Sequence, residues 1–317
     1  MERIEGLNAA HSGVGAPGFL QGRRRIGEAV IRAVLLGCAA TSILVTAGII
    51  FTLGEGAVEF FSEINIGGFL TGTDWAPDFG AQSSYGVLPL VVGTLLIAGI
   101  GLLVAVPLGL ATAIYLSEYA SERARRILKP TLEILAGIPT IVLGFFAINF
   151  VTEVVLRTII PGGVSRQNAL SAGIVVGIMI IPTIASLSED AMRAVPRGLR
   201  EAAFGLGAGR RVVSLRVVVP AALSGIAASI ILAFARAIGE TMIVAIASGA
   251  QSALSFNPLD GMQTMTAAIV QLASGEIPIG SIEYKTIFAL GSTLFVMTFV
   301  LNYLSHRIVR RFREAYD

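Results

Sequence analysis

The sequence is poor in charge and in the side chains that catalysis and metal binding use. Only 14% of its 317 residues are charged, whereas about a quarter is usual in a soluble domain. Its one cysteine, Cys38, excludes a disulfide framework and a thiolate metal site within the chain. The two histidines, His11 and His306, lie at opposite ends, and no zinc cluster or Ser-His-Asp triad can be read. We therefore expect no catalytic residue, no metal and no cofactor.

A nucleotide-binding P-loop is also missing. That motif ends in Gly-Lys-Ser or Gly-Lys-Thr, but the pair Lys285-Thr286 follows Tyr284. The glycine-rich stretch 205–209 lacks both the lysine and a preceding strand. We predict that this chain hydrolyses no ATP itself.

Apolar residues are abundant, at 54% of the chain, and the mean hydropathy is +0.79. Apolar runs without interior charge are long enough to cross about 30 Å of hydrocarbon. The 36 glycines and 12 prolines also fit a helical membrane bundle, where small residues let backbones approach closely. We predict an all-α, polytopic membrane protein with six transmembrane helices, at about 29–53, 86–116, 131–151, 170–188, 219–249 and 285–305.

Basic residues alternate between the segments that connect these spans. Arginines are frequent at 1–28, 117–130, 189–218 and 306–317, whereas 152–169 contains only Arg157 and Arg166, and 54–85 and 251–284 contain no Lys or Arg. Because basic loops stay in the cytoplasm, both termini and the loop 189–218 are predicted to be cytoplasmic. About 28 residues precede the first apolar run, which we therefore interpret as an uncleaved anchor and not as a signal peptide.

The loop 189–218 contains the signals of two short helices. Pro196 suits the first turn of one helix, Gly207 suits its left-handed end, and Pro220 is placed to open span five. Small residues at 202, 203 and 207 would form a face without bulk, which a groove on a partner could enclose. Charged neighbours could orient that face by ion pairing. The alternative is an amphipathic hairpin at the membrane surface.

Span five contains two charges, Arg236 and Glu240, well inside an apolar run. Charged side chains at membrane depth face the protein interior or water. Positions i and i+4 share a helix face, so the two residues are predicted to pair. One interpretation is a structural ion pair. The other is an anion site, in which the planar guanidinium binds an oxyanion and Glu240 holds the guanidinium and accepts from a protonated substrate oxygen.

Helix breakers occur in several spans. In span three, Gly137-Ile138-Pro139 precedes Thr140. Proline frees a backbone carbonyl and bends a helix, and irregular backbone at membrane depth is tolerated where it lines a cavity. We expect Gly137, Pro139 and Thr140 near the substrate path or its gate. The alternative is an irregularity of packing.

From residue 85 to 310 the sequence resembles the inner-membrane permease of the bacterial Pst phosphate-uptake ABC transporter. The matching segments are Tyr85–Pro89, Val106–Gly109, Tyr115–Tyr119, Leu135–Pro139, Gly144–Phe146, Pro182–Ala185, Arg193–Pro196 and Arg236–Met242. The loop also matches the family's coupling motif at Glu201, Ala202, Ala203, Gly207 and Pro220, with Val217 and Val219 where Ile and Leu are usual. Gly239-Glu240-Thr241-Met242 and Trp75-x-Pro77 are similar to the PstC-type subunit.

This resemblance implies a MetI-like ABC importer permease fold in the bacterial inner membrane. It implies a heterodimer with a PstA-type permease, two copies of a PstB-type ATPase and an external phosphate-binding protein, with membrane lipid but no nucleic acid as a further partner. It implies that Arg236, Glu240 and Thr241 serve phosphate passage, and that Arg200 and the coupling motif contact the ATPase. The alternative substrates are other oxyanions, such as sulfate, molybdate or phosphonate.

We predict that the chain consists of five parts. These are a disordered tail (1–28), a first span (29–53), an extracytoplasmic segment (54–85), a permease core (86–305) that includes the coupling loop 189–218, and a second tail (306–317). The segment 54–85 is either an interfacial cap anchored by Trp75 or a docking surface for the external binding protein.

Overall fold

The computed structural model describes residues 26–77, 83–251 and 253–311. Of the tail predicted to be disordered, 1–28, residues 1–25 lie outside the described residues, whereas 26–28 are helical, so disorder there is wrong. The end of the second tail, 312–317, also lies outside the described residues. In the described part the regular structure is helical, apart from a ribbon of two short antiparallel strands, β1 (Trp75–Ala76) and β2 (Ser84–Tyr85), and one isolated bridge. The predicted all-α class is confirmed.

The helices follow one another along the chain. In order they are α1 (Ile26–Glu63), α2 (Ile66–Thr71), α3 (Leu88–Ile114), α4 (Glu122–Ala136), α5 (Thr140–Phe146), α6 (Arg157–Ile159), α7 (Ala169–Arg193), α8 (Arg197–Gly205), α9 (Arg210–Val213), α10 (Val219–Ala221), α11 (Leu223–Ile238), α12 (Met242–Ala247), α13 (Met265–Ser274) and α14 (Ile282–Arg311). Wider π-helical turns join some of them, at Tyr115–Tyr119, Ala147–Leu156 and Ser214–Val218.

The described residues contain five helices, or six if one bent pair counts as a span, that are long and apolar enough to cross a membrane. The five continuous spans are Gly27–Glu63, Leu88–Tyr119, Thr140–Ile159, Ala169–Arg193 and Ile282–Ser305. The bent pair joins Arg210–Ala221 to Leu223–Ile238. This agrees with the predicted number of spans. Helix α1 also continues ten residues into the segment 54–85, which was predicted to begin where the span ends.

The predicted position of span three, 131–151, is wrong. The apolar end of α4 belongs to a separate amphipathic helix, which ends at Ala136. Gly137 and Pro139 then interrupt the helical backbone, and the span runs over Thr140–Ile159. Proline cannot donate the amide hydrogen bond that a continuous helix requires, so two helices follow one another where one was predicted.

Span five was predicted as one continuous helix over 219–249, and this prediction is also wrong. The helix bends by 69° between Ala221 and Leu223, at Ala222, whose φ of −88° and ψ of 2° are not helical. Pro220 therefore lies inside the bent element and does not open the span. Helix α11 ends at Ile238, and the chain resumes as α12 only at Met242.

The chain divides into two units, Met1–Phe51 and Thr52–Asp317. In the first unit, the described part of α1 is apolar and its side chains at 27–51 are exposed in the isolated chain. A helix of this length that is apolar all round suits hydrocarbon.

In the second unit, α3 and α7 pack closely through glycines. A Cβ added at Gly177 would lie 2.8 Å from the carbonyl oxygen of Gly101, and one at Gly173 would lie 2.7 Å from Ile100. Small residues let membrane helices approach to this distance. The largest cluster of buried apolar residues forms around this pair, with side chains from α11 and α12, so the elements that carry the candidate site rest on a rigid base.

Trp75 does not act as the predicted interfacial anchor. Its side chain is only 3% exposed and packs with Phe60, Phe69 and Leu90. A Cβ at Gly86 would lie 2.4 Å from the backbone of Gly72, so this segment folds tightly onto the start of α3. Burial of the indole in protein leaves it no contact with a membrane interface.

Candidate anion pathway and coupling loop

Glu240 lies outside any helix, in the break between α11 and α12. Its Oε1 accepts hydrogen bonds from the backbone N–H groups of Met242 (3.1 Å) and Ile243 (3.3 Å). Its carbonyl oxygen accepts from Thr266 Oγ1 at 2.7 Å. A carboxylate that accepts from the first amides of a helix caps that helix. The carboxylate of Glu240 is therefore fixed by α12, which follows it, and not by Arg236, which precedes it.

Arg236 lies in the last turn of α11 and is exposed in the isolated chain. Its Nη1 donates to Thr183 Oγ1 in α7, at 3.3 Å. Among the described residues no carboxylate lies within 4 Å of its guanidinium. The predicted pairing with Glu240 is thus wrong, because the i, i+4 geometry ends with the helix at Ile238. Arg236 keeps donors that no described residue uses.

Thr241 and Gly137 lie in two separate breaks of the helical backbone, one before α12 and one before α5. Thr241 Oγ1 donates to the carbonyl oxygen of Gly239, at 3.2 Å. Helix α5, which follows the Gly137–Pro139 break, packs against α12: a Cβ at Gly144 would lie 3.0 Å from Ile246. The two breaks therefore precede two helices in contact. No hydrogen bond or ion pair of the described residues joins Thr140 to Arg236 or Glu240, so a place for Gly137, Pro139 and Thr140 on the path stays a prediction.

The coupling loop follows the predicted pattern at its centre. Pro196 precedes α8, and Gly207 ends it with a φ of +80°, as predicted from the sequence. Ala202 is exposed and Ala203 is half-buried. The sequence reading missed the two large apolar side chains beside them, since Phe204 is 48% and Leu206 90% exposed. This surface therefore combines small side chains with large, exposed apolar ones, and exposed apolar side chains are typical of a surface that contacts a partner.

Arg200, predicted to contact the ATPase, is used within the chain. Its guanidinium donates to the carbonyl oxygens of Met192 and Val195, both at 2.7 Å, and pairs with Glu118 Oε1 at 3.1 Å. These contacts join Arg200 to carbonyl oxygens at and just beyond the end of α7 and tie α8 to the π-helical turn Tyr115–Tyr119. Glu201, in contrast, is exposed and forms no ion pair among the described residues.

A buried carboxylate, which the sequence analysis did not predict, forms ion pairs at the base of this loop. Glu189 is 0% exposed, and its Oε1 and Oε2 lie 2.7 Å from Arg125 Nη2 and 3.0 Å from Lys129 Nζ. Arg193 lies 3.8 Å from it, and Lys129 also reaches the exposed Asp190, at 3.0 Å. The spacing of Arg125 and Lys129, which places them on one face of α4, is the signal that could have predicted this cluster.

Lys129 stays charged within the cluster. Burial alone would lower its pKa, but the hydrogen bonds to Glu189 and Asp190 and the two negative charges outweigh burial, so the pKa is raised. The free energy of this cluster therefore does not change with pH through lysine deprotonation in the physiological range, which lies below the usual lysine value of about 10.4.

Residues 105–314 match the family described as binding-protein-dependent transport system inner membrane component. The chain belongs to this family. It is 33% identical to the probable ABC transporter permease protein YqgH of Bacillus subtilis, over 90% of this chain and 93% of that protein. It is 32% identical to the phosphate transport system permease protein PstC of Haemophilus influenzae, over 86% and 90%. The PstC protein of Mesorhizobium japonicum is 30% identical, over 90% of each chain.

Solved structures show the same fold. A bacterial ABC transporter involved in the import of the acidic polysaccharide alginate matches 92% of this chain with a TM-score of 0.62 at 14% identity. The MetNI methionine ABC transporter matches 72% of this chain and 95% of that chain, with a TM-score of 0.54 at 19% identity. As a member of this family, the chain is a non-catalytic, multi-pass permease subunit of an inner-membrane ABC importer, which works with an ATPase and a periplasmic binding protein.

Proposed function

We propose that this permease carries inorganic phosphate inward, as the PstC-type subunit of its importer. The observation that carries the proposal is the state of Arg236. It stands beside a break in the span that bears Gly239-Glu240-Thr241-Met242, and among the described residues the one hydrogen bond of its side chain is to a neutral hydroxyl. A planar guanidinium with free donors suits bidentate recognition of an oxyanion. Relatives named as phosphate permeases support this choice of anion.

The free carboxylate oxygen of Glu240 supports phosphate as the substrate rather than an oxyanion that carries no proton. One of its oxygens accepts from the amides that begin α12, and no hydrogen bond of the described residues reaches the other. An ionised carboxylate only accepts hydrogen bonds. It would therefore favour an oxyanion that carries a proton at neutral pH, as phosphate does, and repel sulfate or molybdate. These two oxyanions and phosphonates remain the alternative substrates.

The remaining parts of the proposal concern assembly. We infer a heterodimer with a PstA-type permease, two PstB-type ATPase subunits that contact the exposed face of Ala202, Ala203 and Gly207, and an external phosphate-binding protein. The termini and the coupling loop face the cytoplasm. An anion that enters against an inside-negative potential costs about 2.3 kcal/mol per charge per 100 mV, which the ATPase would supply.

The test is uptake of labelled phosphate into vesicles that contain the complete complex, with ATP inside and binding protein outside. Unlabelled phosphate, sulfate, molybdate and phosphonate are added in turn as competitors. We expect inhibition by unlabelled phosphate alone. If the vesicles take up no phosphate while another oxyanion stimulates ATP hydrolysis, the phosphate assignment is wrong and the family membership still stands.

A further inference from the structure

Four arginines line a cavity beside the coupling loop. The cavity has a volume of about 380 Å³, which falls in the usual range of small-ligand sites. It lies between the turn Tyr115–Tyr119, α4, the end of α7 and α8. Its lining includes Arg125, Arg193, Arg197, Arg200, Glu122 and Glu201. None of the lining residues belongs to α11 or α12, so this cavity is separate from the break at Arg236.

The four arginines differ in how far the protein already uses them. Arg200 is committed to Glu118 and to two carbonyl oxygens, and Arg193 lies near Glu189. Arg197 is exposed, and no carboxylate of the described residues lies within 4 Å of it. Arg125 contacts Glu189 through Nη2, but its Nε is buried without a hydrogen-bond partner. The lining thus combines the guanidinium of Arg197, which no carboxylate of the described residues contacts, with that of Arg125, which Glu189 contacts only through Nη2.

Two carboxylates, Glu122 and Glu201, also line the cavity and oppose an anion. Both are exposed, and neither forms an ion pair among the described residues. Water and salt screen exposed charges. Glu189, which neutralises part of the cluster, lies below the lining and is 0% exposed. Screening weakens exposed charges of both signs, but the four arginines of the lining outnumber its two carboxylates, so a ligand would meet an excess of positive charge.

We propose that this cavity binds a phosphate group, taken either from free inorganic phosphate or from the headgroup of an anionic lipid. Arg197 and Arg125, which both line the cavity, are the donors, since arginine matches phosphate oxygens in geometry and charge. A phosphate held by both residues would join α8 to α4 and so hold the coupling loop against the body of the permease. The proposal does not depend on which anion the importer carries.

The experiment measures equilibrium binding of radiolabelled inorganic phosphate to the complete complex, without nucleotide or binding protein, in phosphatidylcholine nanodiscs. The test and control complexes both carry Arg236→Gln, which removes the proposed pathway site. The test variant adds Arg197→Gln, and the matched control adds Arg211→Gln, which removes an exposed arginine of the same loop outside the cavity lining. Because the described residues give Arg197 no ion pair or hydrogen bond, the test variant is expected to melt at the control's temperature.

We expect phosphate to bind the control complex and to bind the Arg197→Gln complex about tenfold more weakly, since hydrogen bonds to a charged group are lost. Equal binding by the two complexes, or no saturable binding by the control, overturns the proposal. A comparison of the Arg236→Gln complex with the unmutated complex reports separately on the pathway site, so either site can fail alone.

A second arm distinguishes the two sources of the phosphate group. The same binding is measured in nanodiscs that contain phosphatidylglycerol. If free phosphate is the natural ligand, binding to the control is the same in both lipids. If a lipid headgroup is the ligand, phosphatidylglycerol displaces phosphate from the control, and native mass spectrometry shows a phosphatidylglycerol adduct that Arg197→Gln loses. An adduct that both complexes retain equally, with equal phosphate binding, counts against the site.

Discussion

Two regions of this permease contain charged side chains in helices that are apolar enough to span a membrane, and they differ in how that charge is partnered. At the base of the coupling loop, Glu189 is fully buried and three basic side chains lie within 4 Å of it. At the break in span five, the side chain of Arg236 has one hydrogen-bond partner among the described residues, the neutral Thr183. A buried carboxylate with three basic neighbours contributes to stability and cannot itself bind an anion. An arginine whose partner is neutral keeps donors for an anion, which is why we propose the anion path at Arg236.

The comparison is tested most strongly by Glu189→Gln. Removing one member of a buried ion pair leaves its partners uncompensated and costs about 3–5 kcal/mol. We expect a large loss of thermal stability in the purified complex and lower abundance in the membrane. The control is Asp190→Asn, because Asp190 pairs with the same Lys129 but is 57% exposed, and exposed pairs contribute about 0–1 kcal/mol. Equal effects of the two variants would show that the cluster is not structural.

Arg236→Ala should produce the opposite result, a loss of uptake without a loss of stability. We expect phosphate uptake to fall about 100-fold, because a bidentate guanidinium donates two hydrogen bonds to a charged group, each about 1.5 kcal/mol or more, and about 1.4 kcal/mol is tenfold. Arg236→Lys should be intermediate if bidentate geometry matters. The control is Arg166→Ala, which removes an arginine that is 72% exposed. Uptake by Arg236→Ala at the control's rate would exclude Arg236 from the path.

A bulky residue on the exposed face of the coupling loop should separate assembly from stability. Ala202 is exposed, so Ala202→Trp has room in the permease. Overpacking a fitted contact costs about 1–3 kcal/mol, so we expect about tenfold weaker retention of the ATPase during purification. Thermal unfolding of the permease should not change. Full retention of the ATPase would show that this face lies outside the contact.

The smallest effect is expected at the turn of the same loop. Gly207 has a φ of +80°, and a Cβ added there would have no neighbouring atom within 4 Å. The cost of Gly207→Ala is therefore only that of holding alanine in the left-handed backbone conformation, about 1–2 kcal/mol. Gly209→Ala is the matched control, because Gly209 also has open space but a φ of −72°. Hydrogen exchange of the loop amides should increase for Gly207→Ala only. The same exchange in both variants would contradict the assignment of the turn.

Features that depend on neighbours in the sequence were predicted well. The number of spans, the left-handed glycine at 207 and the break at Gly137–Pro139 follow from hydropathy, backbone freedom and the missing amide of proline. The position of span three was predicted wrongly, because the apolar end of the amphipathic helix α4 adjoins the apolar start of α5. A hydropathy window cannot separate two such runs.

Residue types and their local order therefore determined the membrane class, the family and the place of the coupling loop. Only the tertiary structure decided which charges are paired. Arg236 and Glu240 are four residues apart, yet the helix ends between them, and each finds its partner elsewhere. Glu189 meets Arg125 and Lys129 from a different helix. Electrostatic partners depend on distances through space, and a sequence gives such distances only where the backbone between two residues is regular.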